Sequence, residues 1–140
     1  MTFASQGDIL KPSLIVTVGA WITGVSLVLL GCLCLVFDGI AEGYGVFPVD
    51  EKGTGYLLAT GMRDVSLGMV TLFLLLRFRA AMPVYLCLLS FIPFADALIV
   101  LKYGSPGLSL GIHVVGFFGL IVMAVCAFRE QKRSAFTRNE

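Results

Sequence analysis

The chain has 140 residues, 58% hydrophobic and 14% charged, with a net charge of +1 and a mean hydropathy of +0.95. Soluble domains average about 45–50% apolar and about 25% charged residues, so this composition excludes a water-soluble globule and points to a lipid bilayer. The length suits one domain, and the near-neutral charge gives no reason to expect a nucleic-acid partner.

The first element is predicted over residues 13–37. Ser13 to Phe37 is 25 residues without a charge, longer than the ~20 a helix needs to cross the hydrocarbon. It does not read as a cleavable signal, because its apolar run exceeds the ~7–15 residues of a signal core and Lys11 alone makes a poor basic start. Trp21 falls in the half nearer the chain start and reads as a lipid-facing or core residue. A polar connection follows over 38–54, with Asp38, Glu42, Asp50 and Glu51 against Lys52, and glycines at 39, 43, 45 and 53. Glycines permit tight turns, so a compact flap over the bundle and a solvated loop both fit. Its acids do not follow the alternation of a calcium-binding loop.

The second element, 56–76, contains Arg63 and Asp64 side by side. The third, 83–101, carries Asp96, and the fourth, 108–128, carries His113. The expected fold is all-α: a four-transmembrane-helix bundle forming a single integral membrane domain over 1–140, with a tail over 129–140. Four crossings place both termini and the turn after Leu76 on one side. That side holds Lys11, Arg77, Arg79, Arg129, Lys132, Arg133 and Arg138, against only Lys52 and Lys102 on the other. Basic residues stay on the cytosolic side, so both termini are expected there. The stretch Arg129 to Arg133 reads as a solvated stop-transfer tail, with contact to anionic lipid as the alternative.

A charge at a helix centre costs roughly 2.5–3.5 kcal/mol on insertion scales, so ionisable residues inside spans mark candidate function. At 1.5 Å per residue, Asp96 and His113 each lie about 8 Å from the outer ends of their spans, and Arg63 and Asp64 about 11–12 Å. All four therefore occupy the outer half, as a cavity open to that side requires. Neighbours on a helix do not face each other, so Arg63 and Asp64 are each expected to need a partner from another helix. Arg63 is expected to pair with Asp96, or with Asp64 in relaxed geometry, and His113 to approach one of the carboxylates. Asp64 shares a stripe with Gly61, Gly68 and Thr71, small residues that let helices approach closely. His113 shares one with Ser109 and Gly116. Pro93, three residues before Asp96, removes a helix hydrogen bond. One Arg–Asp pair would suffice for a structural clamp. A second Asp and a His exceed that need, so Arg63, Asp64, Asp96 and His113 are the candidate catalytic residues.

Cys32, Cys34, Cys87 and Cys126 form no C-x-x-C pair, which leaves quinone-linked disulfide chemistry unsupported. A single histidine supplies neither a haem pair nor an ordinary zinc site. No cofactor and no metal are expected.

Gly61-Met62-Arg63-Asp64-Val65-Ser66-Leu67-Gly68 resembles the G-x-R-D-x-x-x-G signature of a small, largely uncharacterised four-helix membrane family. Tyr44-Gly45-Val46, Pro93-Phe94-Ala95-Asp96, Tyr103-Gly104 and His113 are similar to the rest of its pattern, so the resemblance covers about 43–128. Members of that family occur in bacteria and in ascomycete fungi, often beside secondary-metabolite genes. The resemblance implies no settled catalytic residues, but the four residues chosen on physical grounds belong to its motif.

Three functions are open to such a set. The first is an acid–base isomerase or cyclase acting on a lipophilic polyketide or terpenoid intermediate. The second is a non-catalytic accessory or assembly protein of a biosynthetic pathway, with the polar set as interhelical glue. The third is a transporter component, for which four helices are few without an oligomer. The expected partners are the bilayer and a lipophilic small molecule. Self-association and contact with other membrane proteins stay open, and the membrane is that of the endoplasmic reticulum or another endomembrane in a eukaryote.

Overall fold

The computed structural model describes residues 13–37, 51–104 and 107–137. Most of the expected outer connection, including Tyr44 to Val46, lies outside them. The described residues form five helices: α1 (Leu14–Val36), α2 (Glu51–Arg77), α3 (Met82–Leu89), α4 (Phe91–Tyr103) and α5 (Leu108–Thr137), with a short 3-10 turn at Arg79–Ala81 before α3. Taken with the turn, α3 and α4 make one span, so four helical segments are long and apolar enough to cross a membrane.

Local chemistry sets the ends of these elements. The Ser13 hydroxyl accepts from the Val16 N–H at 3.3 Å and caps α1. At the same end of the bundle, Arg79 Nε donates to the Leu75 carbonyl at 2.9 Å, satisfying an orphan acceptor in the last turn of α2. The third span is broken at Ser90. Pro93 has no N–H for the Leu89 carbonyl and its ring crowds that group, while Ser90 Oγ donates to the Cys87 carbonyl at 2.6 Å. Helix α5 continues to Thr137 rather than ending at Phe128. The expected solvated tail is thus helical through Thr137. Arg129 to Ala135 contains no Gly or Pro and is rich in good helix formers, and Gln131 Nε2 donates to the Ala80 carbonyl at 2.6 Å, docking the extension on the turn after α2.

Packing divides the bundle into two tight pairs. Helices α1 and α2 run antiparallel with Gly24 and Gly31 facing Gly68 and Gly61. A Cβ on Gly31 would lie 2.5 Å from the Gly61 carbonyl oxygen, and one on Gly68 would lie 2.6 Å from that of Gly24. Backbones approach this closely only because no side chain intervenes. The second pair is the third span with α5, braced by the Phe94–Phe117 ring contact at 5.5 Å. One buried cluster, including Val16, Ala20, Leu75, Leu86, Leu120 and Ala124, joins the pairs at the end near Ser13.

Between α2 and the third span the links are polar. Tyr85 Oη donates to the Leu67 carbonyl at 2.9 Å, Thr71 Oγ1 donates to the same carbonyl at 2.7 Å, and the two hydroxyls are 2.9 Å apart. Each hydroxyl has one proton, so two of these three bonds exist at any instant. Tyr85→Phe removes one of them and leaves Thr71 bonded to Leu67. It is expected to cost about 1 kcal/mol, read as a lowered midpoint of thermal unfolding in detergent.

Large apolar side chains face outward around the whole bundle, among them Ile22, Phe73, Leu88, Val115 and Phe118. Between 22% and 33% of each span's most apolar stretch is buried against protein. A surface of this kind is an aggregation hazard in water and suits a lipid bilayer.

Candidate functional site

Helix α2 presents Arg63 and Asp64, α4 presents Asp96 one turn beyond the Pro93 break, and α5 presents His113 shortly after its start. The guanidinium joins two of these helices. Its terminal nitrogens Nη1 and Nη2 donate to Asp96 Oδ1 and Oδ2 at 3.3 and 3.1 Å. Its Nε donates to Asp64 Oδ1 at 2.9 Å. The fork on Asp96 is the bidentate geometry in which guanidinium and carboxylate interact most strongly.

The expectation that Arg63 and Asp64 must each look to another helix is overturned in part. The two Cβ directions diverge by about 100°, but the long arginine side chain folds back so that Nε meets its neighbour while its end reaches across to α4. The two pairings left open by the sequence, with Asp96 and with Asp64, coexist. Burial is graded: the side chains of Asp64, Asp96 and Arg63 are 4%, 15% and 33% exposed. The acids therefore depend on Arg63 for charge compensation more than on solvent.

All four polar residues line one cavity of about 390 Å³ among the four spans. Its remaining wall is mostly apolar, with Leu27, Leu67, Ile92 and Leu120 among the contributors. This is the usual make-up of a small-molecule site, an apolar chamber with a few convergent polar groups. None of the hydrogen bonds described for the cluster reaches His113, which shares the cavity wall with both carboxylates. Ser109, on the His113 stripe, is buried, and its hydroxyl has no hydrogen-bond partner among the described residues. A Cβ on Gly116 would lie 3.6 Å from the Pro93 Cβ, an ordinary contact, so α5 could pass Pro93 with alanine there as well.

Sequence reasoning missed the contribution of α1. Thr23, Ser26, Leu27 and Leu30 all line the cavity. Their i, i+3, i+4, i+7 spacing was the available signal, because it puts them on one helix face. In an uncharged span nothing distinguished that face from the others. Among the described residues, no group of three His, Cys, Asp or Glu side chains is placed to hold a metal ion.

The family model for a domain of unknown function, DUF4267, matches residues 24–129. The chain belongs to this family. The DUF4267 segment takes in Arg63, Asp64, Asp96 and His113 and both glycine pairs of the α1–α2 seam. No curated protein and no solved structure matches the chain.

Proposed function

We propose that this DUF4267 protein is an integral membrane acid–base catalyst, an isomerase or cyclase acting on a lipophilic substrate. One observation carries the reading: Asp64, Asp96 and His113 share a single, mostly apolar cavity with Arg63. Proton transfer needs groups that both take up and release a proton next to the reacting atoms. His113 serves as the mobile proton carrier and Asp96 as its counterpart across the cavity. Arg63 holds both carboxylates in place, and its remaining N–H groups stabilise negative charge that develops on the substrate. The apolar wall excludes water and accommodates a polyketide or terpenoid skeleton, which suits a step of secondary metabolism. The seven-to-two distribution of basic residues supports cytosolic termini. It thereby supports a cavity in the outer or lumenal half of the membrane.

The test compares the metabolites of cells lacking the protein with those of cells carrying Asp96→Asn or His113→Ala. Both variants are expected to insert and fold and to lose turnover by at least about a hundredfold, the usual contribution of a general acid or base. Full activity in both would remove the catalytic reading. The alternative, a non-catalytic accessory protein, is favoured by the Arg63 fork on Asp96, which ties α2 to α4 as a structural clamp would.

A further inference from the structure

We infer that the cavity is loaded sideways from the bilayer, between α1 and α5, by an apolar molecule whose polar end donates hydrogen bonds and bears no negative charge. The inference rests on the reading of this cavity as the substrate site. Three of the four seams between spans are bridged beside the cavity. The α1–α2 seam is shut by the glycine contacts. The α2–α4 seam is crossed by the Arg63–Asp96 fork, and the α4–α5 seam by Phe94 on Phe117.

The fourth seam differs. Helices α1 and α5 meet around Gly19, where the Met123 sulfur occupies the place of a Cβ. Further along, Ser26 and Leu30 on α1 and Ile112 and Gly119 on α5 line the cavity and are exposed as well. Leu30 and Ile112 are 42% and 53% exposed, whereas Asp64 and Leu89 on the opposite walls are 3% and 4% exposed. A wall that lines a cavity and also faces outward is the rim of an opening. Here the rim sits within the apolar length of both spans, so the opening gives on to lipid.

The polar lining selects the head group. Among the described residues it holds two carboxylates, one guanidinium and one imidazole, with the hydroxyls of Thr23 and Ser26. Three of the five N–H groups of Arg63 are already given to Asp64 and Asp96. The carboxylates of the lining outnumber its guanidinium two to one. A carboxylate or phosphate head would meet like charge, whereas a hydroxyl, an enol or an ammonium finds oxygen to bond. The volume of about 390 Å³ suits a small molecule near the lower end of ligand pockets.

The test uses the full chain in phosphatidylcholine nanodiscs with diazirine-bearing dodecanol, dodecylamine and dodecanoic acid, followed by peptide mapping of the photoadducts. The alcohol and the amine are expected to label α1 around Leu27 to Leu30 and α5 around Ile112 to Gly119. The acid should label about tenfold less, since like-charge juxtaposition is costly. Gly119→Leu fills the rim, where an added Cβ meets nothing within 4 Å, and is expected to abolish labelling of the cavity. Gly111→Leu, equally open but outside the cavity lining, should leave it unchanged. Ser26→Phe blocks the facing rim and should repeat the Gly119→Leu result. Undiminished labelling in both blocked variants overturns the sideways route, and equal labelling by the acid overturns the head-group assignment. If labelling behaves as expected while Asp96→Asn and His113→Ala turn over normally, the catalytic reading falls and this one stands.

Discussion

Arg63→Met is expected to destabilise the bundle by up to about 3–5 kcal/mol, because it takes the cation away from the buried Asp64 and the largely covered Asp96. The change removes three charge-assisted hydrogen bonds at once, one to Asp64 and two to Asp96. It also takes the guanidinium charge away from two carboxylates that line a mostly apolar cavity. Removing the whole triad is a different operation. Arg63→Met combined with Asp64→Asn and Asp96→Leu leaves no unmatched charge, and replacing buried ion pairs with apolar groups of similar volume is often neutral or stabilising. The triple variant is therefore expected to unfold near the wild-type midpoint in detergent, while the single variant unfolds well below it. Because Asp64 shares the guanidinium, a double change at Arg63 and Asp96 alone would not isolate the charge effect. Activity then separates the two readings of the site. A folded but inactive triple variant marks chemistry, and a folded and active one marks a clamp. A single variant as stable as wild type would show that the triad contributes nothing to the fold.

The second large effect is expected at the α1–α2 seam. Gly31→Ala places a Cβ 2.5 Å from the Gly61 oxygen and 2.7 Å from the Val65 nitrogen, and Gly68→Ala places one 2.6 Å from the Gly24 oxygen and 2.8 Å from the Val28 nitrogen. Those neighbours are backbone atoms and yield only if the helices move apart. A loss of about 1–3 kcal/mol is expected for each alanine, as for other overpacked sites, and more for leucine. Gly24→Ala should be milder, because its Cβ would meet the end of the Leu72 side chain at 2.7 Å, which can change rotamer. Gly55→Ala and Gly111→Ala meet nothing within 4 Å. They should be neutral, or stabilising by up to about 1 kcal/mol through helix propensity. Thermal unfolding of the five variants checks the order, and a Gly31→Ala protein as stable as Gly55→Ala would contradict the close-packed seam. The glycines at the two ends of the Gly61 to Gly68 motif thus seat α1, while Arg63 and Asp64 between them reach the cavity.

Much of the architecture was legible because the relevant signals are local. A mostly apolar run of about 20 residues spans a bilayer whatever its neighbours do, so four spans could be counted from Ser13, Tyr56, Pro83 and Leu108 onward. The candidate site was legible for a related reason, since Arg63, Asp64, Asp96 and His113 break an otherwise apolar pattern. The break at Ser90 was only half legible. Pro93 announced a lost hydrogen bond, but its position under the cavity depends on where α5 packs.

Sequence by itself determined an all-α bundle, its four apolar spans and the small set of polar residues that must find one another within it. Only the tertiary structure decided that Arg63 serves both acids, that His113 joins them on one cavity wall, that α1 supplies Thr23 and Ser26, and that the helix after Phe128 continues. Hydropathy is blind to these choices because lipid accepts any apolar face equally well. The order of helices around the cavity is set instead by shape and polar contact: glycine against backbone between α1 and α2, hydrogen bonds and the Arg63–Asp96 fork between α2 and the third span, and side-chain packing elsewhere.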